Sequence, residues 1–321
     1  MAAPTRPPAN TFFAKARKVY NPIGFSKGYN FILWFIFAGA MFGFALARMM
    51  FLNYNSIYCN PNSTGNGAGP GECWSYNRKD LYKIGIKMHL YTIIPASFLV
   101  VFQFVPFIRY KALLFHRTNG YIVVVLAVIG TVGAIIIAPV AFGGSLSVRA
   151  AVGLMSIMLL GALFLAIWNI KTLQLEQHRA WMLRAWFYVA SFYDNTESLI
   201  VKYPTCQDPN AWVAVQGDMA GESTENIASA LSLGFSMAIW LALAIHAIGI
   251  EVYLHLTPAE TERLRKISFQ RQQERGFKNP GSSGLTSDRL GDAEAWRPGA
   301  DATAYPTSKG SDSDISKVAA A

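Results

Sequence analysis

The sequence predicts an all-α polytopic membrane protein, a bundle of about six transmembrane helices followed by a disordered tail. Three observations predict it. Apolar residues make up 52% of the 321-residue chain and charged residues only 15%, with a positive mean hydropathy, a balance that excludes an ordinary water-soluble globular protein. Uncharged runs recur, each close to the roughly 20 residues that cross about 30 Å of hydrocarbon as a helix. After residue 256 the composition turns to Ser, Gly, Asp and Pro, with few aliphatic side chains to bury.

Residues 1–28 are polar and basic and read as a cytosolic segment. They are not a cleavable signal peptide, because the apolar run behind them is too long for one. That run, 29–52, is apolar and aromatic until Arg48 and forms the first span. Spans two to four are expected over 84–108, 120–142 and 150–170, joined by short loops. The fifth, 181–201, is less apolar because it carries Asp194, Asn195 and Glu197, and the sixth covers 227–254. Residues 257–321 then read as a disordered cytosolic tail, with its basic stretch 263–278 expected on anionic lipid. That stretch explains much of the net charge of +9, so no nucleic-acid partner is invoked.

Basic residues set the orientation, since Lys and Arg are retained on the cytosolic side. Eleven (Arg6, Lys15, Arg17, Lys18, Lys27, Arg109, Lys111, Arg117, Lys171, Arg179 and Arg184) fall on one face. Six (Arg78, Lys79, Lys83, Lys87, Arg149 and Lys202) fall on the other. Both termini are therefore expected in the cytosol, in a membrane of the secretory pathway such as the endoplasmic reticulum or plasma membrane. The sequon Asn62-Ser63-Thr64 lies in the loop after span one, where it would be glycosylated on the lumenal side. Cys59, Cys73 and Cys206 all fall in non-cytosolic loops. Cys59 with Cys73 is the expected disulfide, closing a loop of roughly 15 residues, and Cys206 is left over.

Soluble-enzyme and metal-ligand signatures such as GxGxxG, HExxH, CxxC and GxSxG are missing. Chemistry must come from polar side chains at hydrocarbon depth, which are costly to place there. The candidates are Arg48, His89, Gln103, Asp194, Glu197 and His246. Asp194 and Glu197 are three apart and share a helix face. With His89 they form one catalytic set, in which a buried carboxyl acts as acid or base on an apolar small molecule. The plain alternative is an ion pair of Arg48 with either acid. A second cluster is cytosolic: His116-Arg117 opens span three and His178-Arg179, followed by Arg184, opens span five. Two imidazoles and three guanidiniums would suit an anion or a haem b with its propionates. Its plain alternative is a set of positive-inside anchors. Gly130 and Gly133 read as helix-packing positions.

These same residues carry a resemblance. Lys87-Met88-His89, Phe102-Gln103-Phe104 with Arg109, His116-Arg117 with Gly120-Tyr121, and His178-Arg179-Ala180-Trp181-Met182-Leu183-Arg184 resemble the domain-of-unknown-function 2306 family. These are multi-pass membrane proteins of bacteria and fungi, and the resemblance covers about residues 87–201. It implies a polytopic topology and supplies no reaction. Where the family usually carries a further Arg after the WM-x-R arginine, this chain reads Asp194-Asn195-Thr196-Glu197, reversing the charge. Three functions stay open: an intramembrane enzyme acting on an apolar metabolite in a fungal secondary-metabolite pathway, a single-haem b-type redox protein, and a non-catalytic transporter or receptor-like component.

Overall fold

The computed structural model describes residues 10–25, 27–60, 67–69, 71–189, 199–204, 212–217 and 224–298. Among these, five helices are long and apolar enough to cross a bilayer: Gly28–Leu52, Asp80–Phe104, Leu113–Ile137, Leu146–Lys171 and Ser232–His255. The helices in chain order are α1 (Thr11–Tyr20), α2 (Gly28–Arg48), α3 (Glu72–Asn77), α4 (Asp80–Val100), α5 (Pro106–Lys111), α6 (Leu113–Ile137), α7 (Leu146–Lys171), α8 (Leu175–Val189), α9 (Thr224–His255) and α10 (Pro258–Glu274). The chain is thus a membrane protein built from apolar helices, as its composition requires.

Spans two to four begin several residues before the apolar runs do. The reason is that a helix does not stop where the hydrocarbon stops: α6 starts through the polar His116-Arg117-Thr118-Asn119 string and α4 through Asp80, an acid in its first turn. The fifth expected span differs more. Its helix, α8, starts at Leu175 instead of 181 and has 15 residues, a rise of about 22 Å against the roughly 30 Å of a bilayer core. Residues 190–198 lie outside the described residues. Leu199–Pro204 is a strand, β1, paired antiparallel with β2, Trp212–Gly217. Leu199-Ile200-Val201 and Val213-Ala214-Val215 supply β-branched residues on both sides of the pair, the composition that favours strand over helix.

The helical part divides into two compact units. The first comprises Met1–Leu163 with Arg184–Glu251. At its centre α4 lies along α6, and glycines make this approach possible. A Cβ on Gly133 would lie 2.7 Å from both the Gly85 carbonyl oxygen and the His89 nitrogen, and one on Gly130 would lie 2.8 Å from Thr92 Oγ1. Nothing larger fits between these backbones. At the end of this helix pair sits a cap formed by the loop after α2. Cys59 and Cys73 are bonded there, and Phe51, Tyr54, Tyr58 and Tyr76 pack with Ile86 and Ile137 into a buried cluster.

The cap also grips the turn between α6 and α7. Glu72 is 8% exposed. Its Oε1 accepts hydrogen bonds from the Tyr76 hydroxyl at 3.0 Å and the Phe142 N–H at 3.3 Å, and its Oε2 accepts one from the Gly69 N–H at 3.1 Å. Phe142 needs this help, because it and Gly143 sit at φ 46° and 78°, a region costly for any residue with a side chain. The same turn meets the start of α9: the Ser232 hydroxyl donates to the Phe142 carbonyl at 2.7 Å, and the Phe142 and Phe235 rings stack 3.8 Å apart.

The second unit comprises Phe164–Leu183 with Val252–Ala321. Here residues 258–298, read from composition as the start of a disordered tail, are folded. Gln174, Glu176, Ser268 and Gln272 are almost fully buried. Gln272 Nε2 donates to Gln174 Oε1 at 2.9 Å and to the Thr172 carbonyl at 2.8 Å, while its Oε1 accepts from the Gly281 N–H. The Ser268 hydroxyl donates to Glu176 Oε2 at 2.9 Å, and Asn169 Oδ1 accepts from the Leu285 N–H at 2.8 Å. Side-chain amides hold this segment down, so a count of aliphatic residues does not register it. Residues 299–321 lie outside the described residues.

Candidate functional site

His89 lies in α4 one turn before Thr92, at the point where α4 and α6 are closest. Its Nδ1 is 2.9 Å from the Gly130 carbonyl oxygen of α6. A carbonyl can only accept, so Nδ1 carries the proton and the lone pair of the neutral ring is on Nε2. The Gly130 carbonyl is reachable because neither Gly130 nor Gly133 interposes a side chain. Thr92 directs its hydroxyl to the Met88 carbonyl of its own helix at 2.7 Å and does not compete for the imidazole. The result is a histidine of fixed tautomer and fixed ring plane inside a rigid helix pair.

His178, in the second unit, is held in the same manner, with Nδ1 2.8 Å from the Ala166 carbonyl oxygen of α7. Next to it the Arg179 guanidinium lies 5.6 Å from the centre of the Tyr253 ring and donates to Thr257 Oγ1 at 3.3 Å. Arg184, in the first unit, makes a two-pronged ion pair with Glu251 of α9 at 2.5 and 2.8 Å. Two of the three guanidiniums expected to hold an anion are therefore already matched by protein groups. Arg117 is exposed and His116 half-buried near the start of α6. Among the described residues the buried Gln103 Nε2 meets no acceptor, and Gln103 Oε1 lies 3.3 Å from where a Cβ on Gly120 would be. His246 stands edge-on to Phe187, with ring centres 6.4 Å apart.

Arg48 faces Phe44 and Phe51, its guanidinium carbon 5.5 and 5.2 Å from their ring centres. Its expected carboxylate partners, Asp194 and Glu197, lie outside the described residues, as do Asn62 and Cys206. Among the described residues no group of three His, Cys, Asp or Glu side chains could hold a metal ion. Glu72 was missed at the sequence level. It sits in a Gly-rich polar loop, and its burial is created by Phe142, 70 residues away. The available signal was its position beside Cys73, which ties it to the closed loop.

Residues 86–213 match DUF2306, a family described as predicted membrane proteins. The match bears out the resemblance carried by the His89, Gln103, His116 and His178 strings, and it begins one helical turn before His89. The DUF2306 segment thus contains the α4–α6 pair, α7 and α8, with His89, His116 and His178, while the disulfide cap, His246 and α10 lie outside it. Neither the curated proteins nor the solved structures contain a match to the chain.

Proposed function

We propose that this protein is a b-type haem redox protein of the membrane, in which His89 is the residue that would hold the iron. The observation that carries the reading is the Nδ1–H bond from His89 to the Gly130 carbonyl. Ligating histidines characteristically donate their other ring N–H to a carbonyl or carboxylate, which fixes the ring and raises the basicity of the ligating nitrogen. His178 shows the same arrangement with Ala166. His116 stands 14 residues before Gly130 on α6, about 21 Å along the helix, so it would not share an iron with His89. Bound haem would supply one-electron transfer. The chain's own contribution is to present Nε2 of His89 as the basic nitrogen and to surround it with apolar helix. In the orientation that goes with this reading, both termini are cytosolic and the disulfide cap, with a glycosylated Asn62, is lumenal.

The fixed tautomer also supports a second reading, in which His89 Nε2 is the base of an intramembrane enzyme acting on an apolar metabolite, as in secondary-metabolite pathways, with Glu197 and Asp194 as acids. The absorption spectrum separates the two. Protein produced with haem supplied and then purified should show a Soret band that sharpens on reduction, and His89→Ala should lose it while the variant still purifies as a folded monodisperse species. A colourless wild-type protein under those conditions would end the haem reading and leave the acid–base set.

A further inference from the structure

The disulfide-bearing rim of the first unit carries five basic residues, Arg78, Lys79, Lys83, Lys87 and Arg149. Two of its basic residues are engaged: Arg149 donates to the Gly144 and Pro139 carbonyls at 2.8 and 3.2 Å, and the Lys87 ammonium lies 4.8 Å from the centre of the Tyr54 ring. Arg78, Lys79 and Lys83 are different. Among the described residues none of the three is paired with a carboxylate, although Asp80 is adjacent in the chain. They also flank the start of α4, where cations oppose the helix dipole, so helix stability does not account for them. What surrounds Arg78 and Lys79 is aromatic. The Arg78 guanidinium is 5.6 Å from the Trp74 ring centre and 5.7 Å from that of Tyr82, and Lys79 is 5.8 Å from Tyr82.

Depth identifies the surroundings. Trp74 is 70% exposed, and Leu81 and Ile84 in the first turns of α4 are 59% and 58% exposed. Exposed aliphatic side chains on a spanning helix face hydrocarbon, and an exposed Trp immediately before them sits at headgroup level. Beside Trp74 and Arg78 a shallow open cavity of about 520 Å³ is lined by Cys59, Asn60, Cys73, Trp74, Asn77 and Arg78. Asn60 Nδ2 there donates to the Ser56 carbonyl and Asn77 Oδ1 accepts from the Tyr54 hydroxyl, so the cavity offers the Arg78 guanidinium for a phosphate and the Trp74 indole for the glycerol backbone, at the level where a phospholipid presents those groups.

We infer that this rim is a binding site for the headgroup of an anionic phospholipid. The lipid phosphate is held by Arg78 with Lys79 and Lys83 around it, and the acyl chains lie along Leu81 and Ile84. The site requires no haem and holds whichever redox or enzymatic role His89 serves. Native mass spectrometry of the full-length protein in detergent, titrated with phosphatidylglycerol, phosphatidylcholine or inorganic phosphate, tests it. Phosphatidylglycerol should bind more tightly than phosphatidylcholine. Arg78→Gln combined with Lys79→Gln and Lys83→Gln should weaken phosphatidylglycerol about tenfold and leave phosphatidylcholine unchanged. Trp74→Ala, which keeps every charge, should weaken both lipids by a smaller factor. An unchanged phosphatidylglycerol affinity in the triple variant overturns the proposal. Inorganic phosphate binding as tightly as phosphatidylglycerol also overturns it, since the rim would then hold a soluble anion.

Discussion

Glu72 accepts three hydrogen bonds while almost out of contact with water, and the two influences on its carboxyl oppose each other. The donors favour the charged form and burial disfavours it. Burial prevails, so the carboxyl is pushed above its ordinary value of 4.5. A folded state that binds the proton more readily than the unfolded chain gains stability as the pH falls through the raised value. It gains nothing more below the ordinary one, and above the raised value it bears the whole cost of the buried charge. Thermal unfolding in detergent should therefore show a midpoint that rises as the pH is lowered from above the raised value toward 4.5, relative to Glu72→Gln, which does not titrate. At neutral pH the variant should itself be weaker by about 1–3 kcal/mol, because an amide cannot accept from both the Gly69 and Phe142 N–H groups. Parallel pH profiles for the two proteins would show that Glu72 does not govern the cap. Tyr58 and Tyr76 are also pushed up by burial beside Glu72, but they remain neutral over this range and add no slope.

At the scale of elements, the α4–α6 pair and the site it carries stand or fall together. Gly133 has only backbone within reach, so Gly133→Val must part the helices, and overpacking of this kind costs about 1–3 kcal/mol or more. The same displacement breaks the bond from His89 to Gly130. Gly153 of α7, with nothing within 4 Å of an added Cβ, provides the control. Gly153→Ala should be neutral or slightly stabilising by melting temperature, whereas Gly133→Val should lower the melting temperature and any haem content. Equal melting temperatures for the two variants would remove the close approach as the basis of the site. Gly130 and Gly133 were legible in the sequence as packing positions, and five spans were legible as apolar runs, because both signals are local. The disulfide followed from loop length and compartment. The start of α8, the β1–β2 pair and the folding of α10 were not legible. Each depends on hydrogen bonding between residues far apart, such as Gln174 with Gln272, and hydropathy is blind to it.

The whole molecule poses a question of parity. Among the described residues five helices qualify as spans, and five crossings would put the chain's two ends on opposite sides of the membrane. Hydrogen bonds join the segments around α7 and α9 inside each unit. Within the first unit, the start of α9 meets the turn between α6 and α7 through Ser232 and Phe142, and Ser236 meets Ser147 at the start of α7. Within the second unit, the residues after α7 and the end of α9 are joined through Arg179 with Thr257 and Thr172 with Gln272. Within the second unit the end of α9 thus lies beside the start of α8. Six crossings, the number expected from the apolar runs with a fifth over 181–201, would place the two termini on one side, and the basic residues Arg263, Arg265 and Lys266 beyond α9 would favour the cytosol. In sealed microsomes, N- and C-terminal tags should be digested together by added protease. The loop after span one should stay protected, with endoglycosidase shifting the wild type but not Asn62→Gln. Digestion of one tag and protection of the other would mean an odd number of crossings, and the fifth span expected over 181–201 would be absent.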